Sequence, residues 1–139
     1  MNLFVDTSVW SLALRRDAPN GVVEVAALIR GLERGDPLLT TGLVLQELLQ
    51  GFAGPKSREA IVDRFSALPL LVPDREDYVA AADLRSHCRR GGVQIGTIDA
   101  LLAQLCIHHS LTLLSTDRDF VAVATMSALK LWRPIAAST

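Results

Sequence analysis

The sequence predicts an α/β protein, with a central parallel sheet in a three-layer α/β/α arrangement. Three observations carry this expectation. Short apolar runs that are apolar on both faces recur at 3–5, 38–40, 70–72, 111–114 and 129–132, as strands buried in a parallel sheet do. Stretches with helical apolar spacing separate these runs, so strands and helices alternate. Half of the 139 residues are hydrophobic, which supplies a substantial core for one domain spanning 1–139.

Composition narrows the function. The formal net charge is −1, which excludes a basic tail-type nucleic-acid binder. Affinity for a polyanion has to come from a local patch or from bound cations. Cys88 and Cys106 are far apart and form no CxxC, so two free thiols in a cytoplasmic protein are expected. No signal-peptide pattern opens the chain and no stretch is apolar for long enough to span a bilayer. No membrane partner is expected.

The elements follow in order. Leu3, Phe4 and Val5 form the first strand, Asp6 ends it, and Thr7 or Ser8 is placed to cap a helix over 8–16. Arg15 and Arg16 suit the carboxyl end of that helix, and Asp17, Pro19 and Asn20 break it. Asn20 is placed to cap a second helix, which keeps helical spacing to Arg34 and stops at Gly35. After the second strand, Thr41 is placed to cap a third helix over 43–50, ended by Gly51. Pro55 opens a fourth, with Ile61, Val62 and Phe65 inward. Asp74 caps a long helix to about Arg89, with Tyr78, Ala81, Ala82, Leu84 and Cys88 on its buried side. Gly91 and Gly92 end it. Thr97 is placed to cap the next helix, with Asp99 in its first turn. His108 and His109 close that helix, and spacing along the chain offers them no third zinc ligand. Phe120 begins a last helical segment to about Met126, with Asp119 as its cap, before the final strand.

Four acids stand out against this frame. Asp6 and Asp117 both follow a buried strand directly, and ligands of open α/β sheets bind at that edge. Asp99 opens a crossover helix, which begins at the same edge. Glu47 lies on a largely apolar helix face, beside Leu43, Val44 and Leu48. Each has a plainer role as well: Asp6 as a helix cap, Glu47 reaching out to solvent, Asp99 favoured by a helix dipole. Four carboxylates in one pocket stay ionised only if cations compensate them. An all-oxygen donor set suits Mg²⁺, with Mn²⁺ as a substitute. Such ions activate water and clamp a phosphodiester. No Ser–His or Cys–His arrangement competes, and no glycine-rich phosphate loop is present. Arg85, Arg89 and Arg90, at a helix carboxyl end, are candidate RNA contacts along with Arg118.

The segments VDTSVW, GLVLQELLQG, IGTIDALLAQLC and STDRDF, in this order over nearly the whole chain, resemble PIN-domain ribonucleases, and most of all the VapC toxins of toxin–antitoxin pairs. The resemblance implies a sheet of order 3-2-1-4-5 and Mg²⁺-dependent endonuclease cleavage of RNA. It also implies a homodimer neutralised by a cognate VapB antitoxin. Asp6, Glu47, Asp99 and Asp117 match the acidic quartet, Asp6 and Asp99 being the positions most directly tied to the metal. Thr7, Ser8 and Thr116 match polar supports, and Asp119 matches the second acid of the TxDxDF pattern.

Other readings stay open on the residues alone. A signalling receiver domain would need a lysine after a late strand, and only Lys56 and Lys130 are present. An aspartyl phosphatase would need a second Asp where Ser8 stands. A non-catalytic interaction module of the same fold and a PIN nuclease of RNA processing complete the set.

Overall fold

The computed structural model describes residues 2–15, 17 and 20–134. Its strands are β1 (Leu3–Val5), β2 (Leu38–Thr41), β3 (Leu70–Leu71), β4 (Thr112–Leu114) and β5 (Lys130–Leu131). They form one sheet in the order β3-β2-β1-β4-β5, with every pairing parallel. The helices are α1 (Thr7–Leu14), α2 (Val23–Arg34), α3 (Gly42–Gly51), α4 (Pro55–Ser66), α5 (Arg75–Arg90), α6 (Thr97–His108) and α7 (Asp119–Thr125). The α/β class and the strand order expected above are therefore what the chain adopts.

β1 is the axis. Leu3, Phe4 and Val5 are buried, as are Leu113 and Leu114 of its neighbour β4. Full burial of such side chains stabilises by about 1.5–3 kcal/mol each. Trp10 of α1 and Phe65 of α4 meet with ring centroids 5.1 Å apart and tilted by 55°, a favoured aromatic geometry. Helix α6 buries Ala100, Leu101, Leu102, Ala103, Leu105 and Cys106. A helix apolar nearly all round has to be covered on several sides, and α6 packs against α5 more extensively than any other pair of elements.

Several local expectations are corrected. Asn20 does not cap α2: Gly21, at φ 85°, reverses the chain first, and α2 begins at Val23 behind Val22, which makes no side-chain cap bond. Helix α1 starts at Thr7 under an Asp6 cap, so neither Thr7 nor Ser8 caps it, and it ends at Leu14. Arg15 turns to Asp17 at 3.3 Å, while Arg16, Pro19 and the tail after Pro134 lie outside the described residues. Val62 and Tyr78 are exposed, as is Ala82. The inward stripe of α4 is the pair Ile61 and Phe65, four apart and thus on one face. At the start of α5 the inward position goes to Asp77 in a capping box with Asp74. Gly96, not Thr97, precedes α6. Asp119 is the first residue of α7 rather than its cap. Thr41 and Asp74 do cap α3 and α5.

Candidate active site at the carboxyl edge of the sheet

β1 and β4 run side by side with Val5 opposite Leu114. Asp6 extends the pairing by one bond, its N–H donating to the Leu114 carbonyl at 3.1 Å. The parallel register therefore delivers Asp6 and the Ser115–Asp117 segment to the same edge.

The two oxygens of Asp6 have different work. Oδ1 accepts the Ser8 N–H at 3.1 Å, the Val9 N–H at 3.4 Å and the Ser8 hydroxyl at 2.6 Å. This is the helix cap. Oδ2 accepts only the Ser115 hydroxyl, at 2.6 Å, and keeps lone-pair capacity for a cation. Capping through Oδ1 thus leaves Oδ2 of the same side chain open to a ligand. Burial raises the Asp6 pKa above its ordinary value, and the bonds from Ser115 and Ser8, with the Val9 and Ser8 amides, offset only part of the rise.

The strand ends are stitched together by hydroxyls. Thr116 N–H donates to Ser8 Oγ at 3.0 Å, and Asp117 N–H donates to Ser115 Oγ at 3.0 Å. Asp117 Oδ1 in turn accepts the Asp119 N–H at 2.9 Å, which turns the chain into α7. Glu47 stands in the middle of α3, half-buried. Thr7 Oγ1 donates to Glu47 Oε1 at 2.9 Å, so this acid is held toward the strand edge instead of reaching away.

Asp99 reports the convergence. Its pKa is pushed up to about 6, by burial first and then by the negative charges of Asp117, Asp6, Glu47 and Asp119. Four acids from three separate parts of the chain therefore act on one carboxyl group. Among the described residues the ion pairs are Arg15–Asp17 and His108–Asp77, so no basic side chain pairs with this cluster. A group of oxygens with surplus negative charge and no internal cation fits a hard divalent ion.

A family model for the PIN domain matches residues 3–126. The chain belongs to the PIN-domain family. Among curated relatives, ribonuclease VapC23 of Mycobacterium tuberculosis is 34% identical over 130 residues, covering 90% of this chain and 99% of the relative. Ribonuclease VapC11 of the same species is 28% identical, covering 92% and 96%. A chain in the crystal structure of DNA-bound VapBC from Salmonella typhimurium matches with a TM-score of 0.74 at 18% identity, over 95% of this chain and 97% of that one. At that identity the likeness speaks for the fold.

Within this PIN domain, sequence reasoning named the quartet, Thr7, Ser8 and Asp119, all of which bear on the cluster. It named the wrong hydroxyl beside Asp117. The hydroxyl that reaches Asp6 belongs to Ser115, and Thr116 contributes its backbone N–H. The available signal was position, because Ser115 directly ends the β4 run. Arg85 and Arg89 line a cavity of about 470 Å³ with Val93, Gln94, Ile95 and Gly96, on the segment that leads into α6. Arg85 Nε also donates to the Ile95 carbonyl at 2.9 Å, so it braces that segment. Arg118 lines a separate groove of about 310 Å³ with Ser115 and Asp117, joined by Arg133, which the sequence did not single out. Arg90 is exposed at the end of α5. His108 ends α6 as expected, but a third donor is close after all: Asp77 Oδ1 lies 2.7 Å from His108 Nδ1.

Proposed function

We propose that this protein is a VapC-type toxin: a Mg²⁺-dependent endoribonuclease held in check by a VapB-type antitoxin. The observation that carries the reading is the convergence of Asp6, Glu47, Asp99 and Asp117, felt as the raised pKa of Asp99. Relatives named as VapC ribonucleases, aligned over almost their full length, support it. No helix among the described residues is long and apolar enough to cross a membrane, in keeping with a cytoplasmic RNA substrate. A homodimer is part of the proposal.

Asp6, through Oδ2, and Asp99 would hold the ion, with Glu47 and Asp117 completing the acidic set. Mg²⁺ or Mn²⁺ bound there supplies positive charge for the phosphodiester and acidifies water. The chain's own residues do the positioning. Ser8 and Ser115 fix the plane of the Asp6 carboxylate, and Thr7 fixes Glu47. Glu47 or Asp117 would hold a second ion or orient the attacking water. Arg85, Arg89, Arg90 and Arg118 supply candidate phosphate contacts around an otherwise acidic centre.

The test is cleavage of total RNA by purified protein in Mg²⁺ and in EDTA, beside Asp99→Asn. Discrete fragments that need both Mg²⁺ and Asp99 are expected. Equal cleavage by folded Asp99→Asn would overturn the site. Failure of the wild-type protein to bind Mg²⁺ in calorimetry would favour a non-catalytic module.

A further inference from the structure

The amino end of α5 and the carboxyl end of α6 bring together Asp77, His108 and His109. Each offers one ligand atom, and these atoms lie within 4.8 Å of one another. The group is remote from the acidic quartet. Asp99 is in the first turn of α6 and His108 ends it, a span of about 13 Å at 1.5 Å per residue.

Asp77 is the donor that its surroundings fix. Asp77 is buried, at 3% exposure. Its Oδ2 accepts the Asp74 N–H at 3.0 Å, which locks the carboxylate and turns Oδ1 to His108 Nδ1 at 2.7 Å. Burial opposes its charge, but the Asp74 and His108 interactions outweigh burial and keep its pKa below the ordinary value. It is a fixed anion. His108 and His109 are exposed, and their rings stack at 4.3 Å with 25° between planes. The stack keeps the second imidazole beside the first, and an exposed ring has only to turn for both nitrogens to face one ion.

We infer that Asp77, His108 and His109 form a second metal site, selective for a borderline divalent ion such as Zn²⁺, Co²⁺ or Ni²⁺. Two imidazole nitrogens and one carboxylate oxygen suit these ions and not Mg²⁺. Three protein donors leave a fourth tetrahedral position for water. The ion replaces any proton shared between His108 Nδ1 and Asp77 Oδ1 and releases it to solvent. The site clips α5 to α6, the helix that carries Asp99.

A plain His108–Asp77 ion pair would use two of the three residues. His109 makes no hydrogen bond to either, so it discriminates. The experiment is equilibrium dialysis of Zn²⁺, repeated with Co²⁺ and its visible spectrum, in excess Mg²⁺ and on an Asp99→Asn background. One ion per chain is expected. His109→Asn and His108→Asn should each weaken binding at least about tenfold, since even partners one shell further out cost that much. His87→Asn, which alters the chain's remaining histidine, should leave it unchanged. Wild-type affinity in folded His109→Asn would overturn the site, as would loss of the ion on the Asp99→Asn background alone.

Discussion

The Ser115 hydroxyl donates to Asp6 Oδ2 at 2.6 Å, joining residues 109 positions apart in the chain. Through Asp117 N–H, which donates to Ser115 Oγ at 3.0 Å, the same hydroxyl sets the position of both strand-end acids. Ser115→Ala removes a donor from a buried anion, which costs about 1.5–3 kcal/mol. It also leaves Oδ2, the oxygen proposed to hold the metal, without its one fixed partner, while Ser8 and Val9 still hold Oδ1. We expect a lower Tm and Mg²⁺-dependent cleavage reduced roughly 10–100-fold, with part of the activity returning at high Mg²⁺. Ser115→Thr, which keeps the hydroxyl, should restore most of it. An RNA-cleavage titration against Mg²⁺ reads both effects on activity, and a thermal melt reads the Tm.

Thr7 performs a similar service for Glu47, at 2.9 Å. Thr7→Val keeps the shape and removes the donor. The bond is only part-buried, so stability should fall by about 0.5–1.5 kcal/mol. Cleavage should fall about tenfold or more, because the bond that directs Glu47 is lost. Denaturant melts and single-turnover rates on one preparation separate the two.

The metal-free protein should show a pH dependence to which Asp99 contributes, alongside Asp6, whose pKa burial also raises. Its folded pKa is about 6 against an ordinary 3.8, so the folded state binds the proton more tightly than the unfolded one. Stability is then greatest below about pH 4 as far as this group is concerned, and is lost as pH rises through about 6. Asp99 is half-exposed, and solvent screening trims the loss to on the order of 1 kcal/mol. Melts in EDTA from about pH 4 to about pH 8 should show the decline. Mg²⁺ or Asp99→Asn should make it shallower. A flat wild-type profile in EDTA would contradict the convergence of charge on Asp99.

The arginines should divide into two kinds. Arg89→Ala removes an exposed cation on the cavity wall. It should weaken RNA binding without changing Tm, and reduce the salt slope of log K by roughly 0.7 for each single-strand phosphate left without its cation. Arg85→Ala should also lower Tm, because it removes the bond to the Ile95 carbonyl. Filter binding to a catalytically silenced Asp99→Asn protein over a salt series measures the slopes.

The strand-end acids were legible in the sequence because a buried parallel strand must be apolar throughout, which makes the first charged residue after it conspicuous. Glu47 was legible for the same reason, as a charge on an apolar helix face. What escaped depended on facts that spacing does not encode. Ser115 and Thr116 are adjacent hydroxyls, and only the β1–β4 register decides which one meets Asp6. Asn20 has the chemistry of a cap, yet the turn at Gly21 puts it outside the helix. Asp77 and His108 lie 31 positions apart on different helices, so their pairing exists only once α5 and α6 have packed.

The placement of β1 at the middle of the sheet has a consequence for the cell that makes the protein. The strand bearing Asp6 is synthesised before the segment that holds its Oδ2, which follows 109 residues later. At a translation rate of about 5–20 residues per second the interval is roughly 5–20 s. During it the nascent chain carries Asp6, later joined by Glu47, on an unfinished sheet, with neither Ser115 nor Asp117 to close the edge. A nascent chain that has not yet reached Ser115 and Asp117 therefore has no complete acidic centre with which to cut RNA.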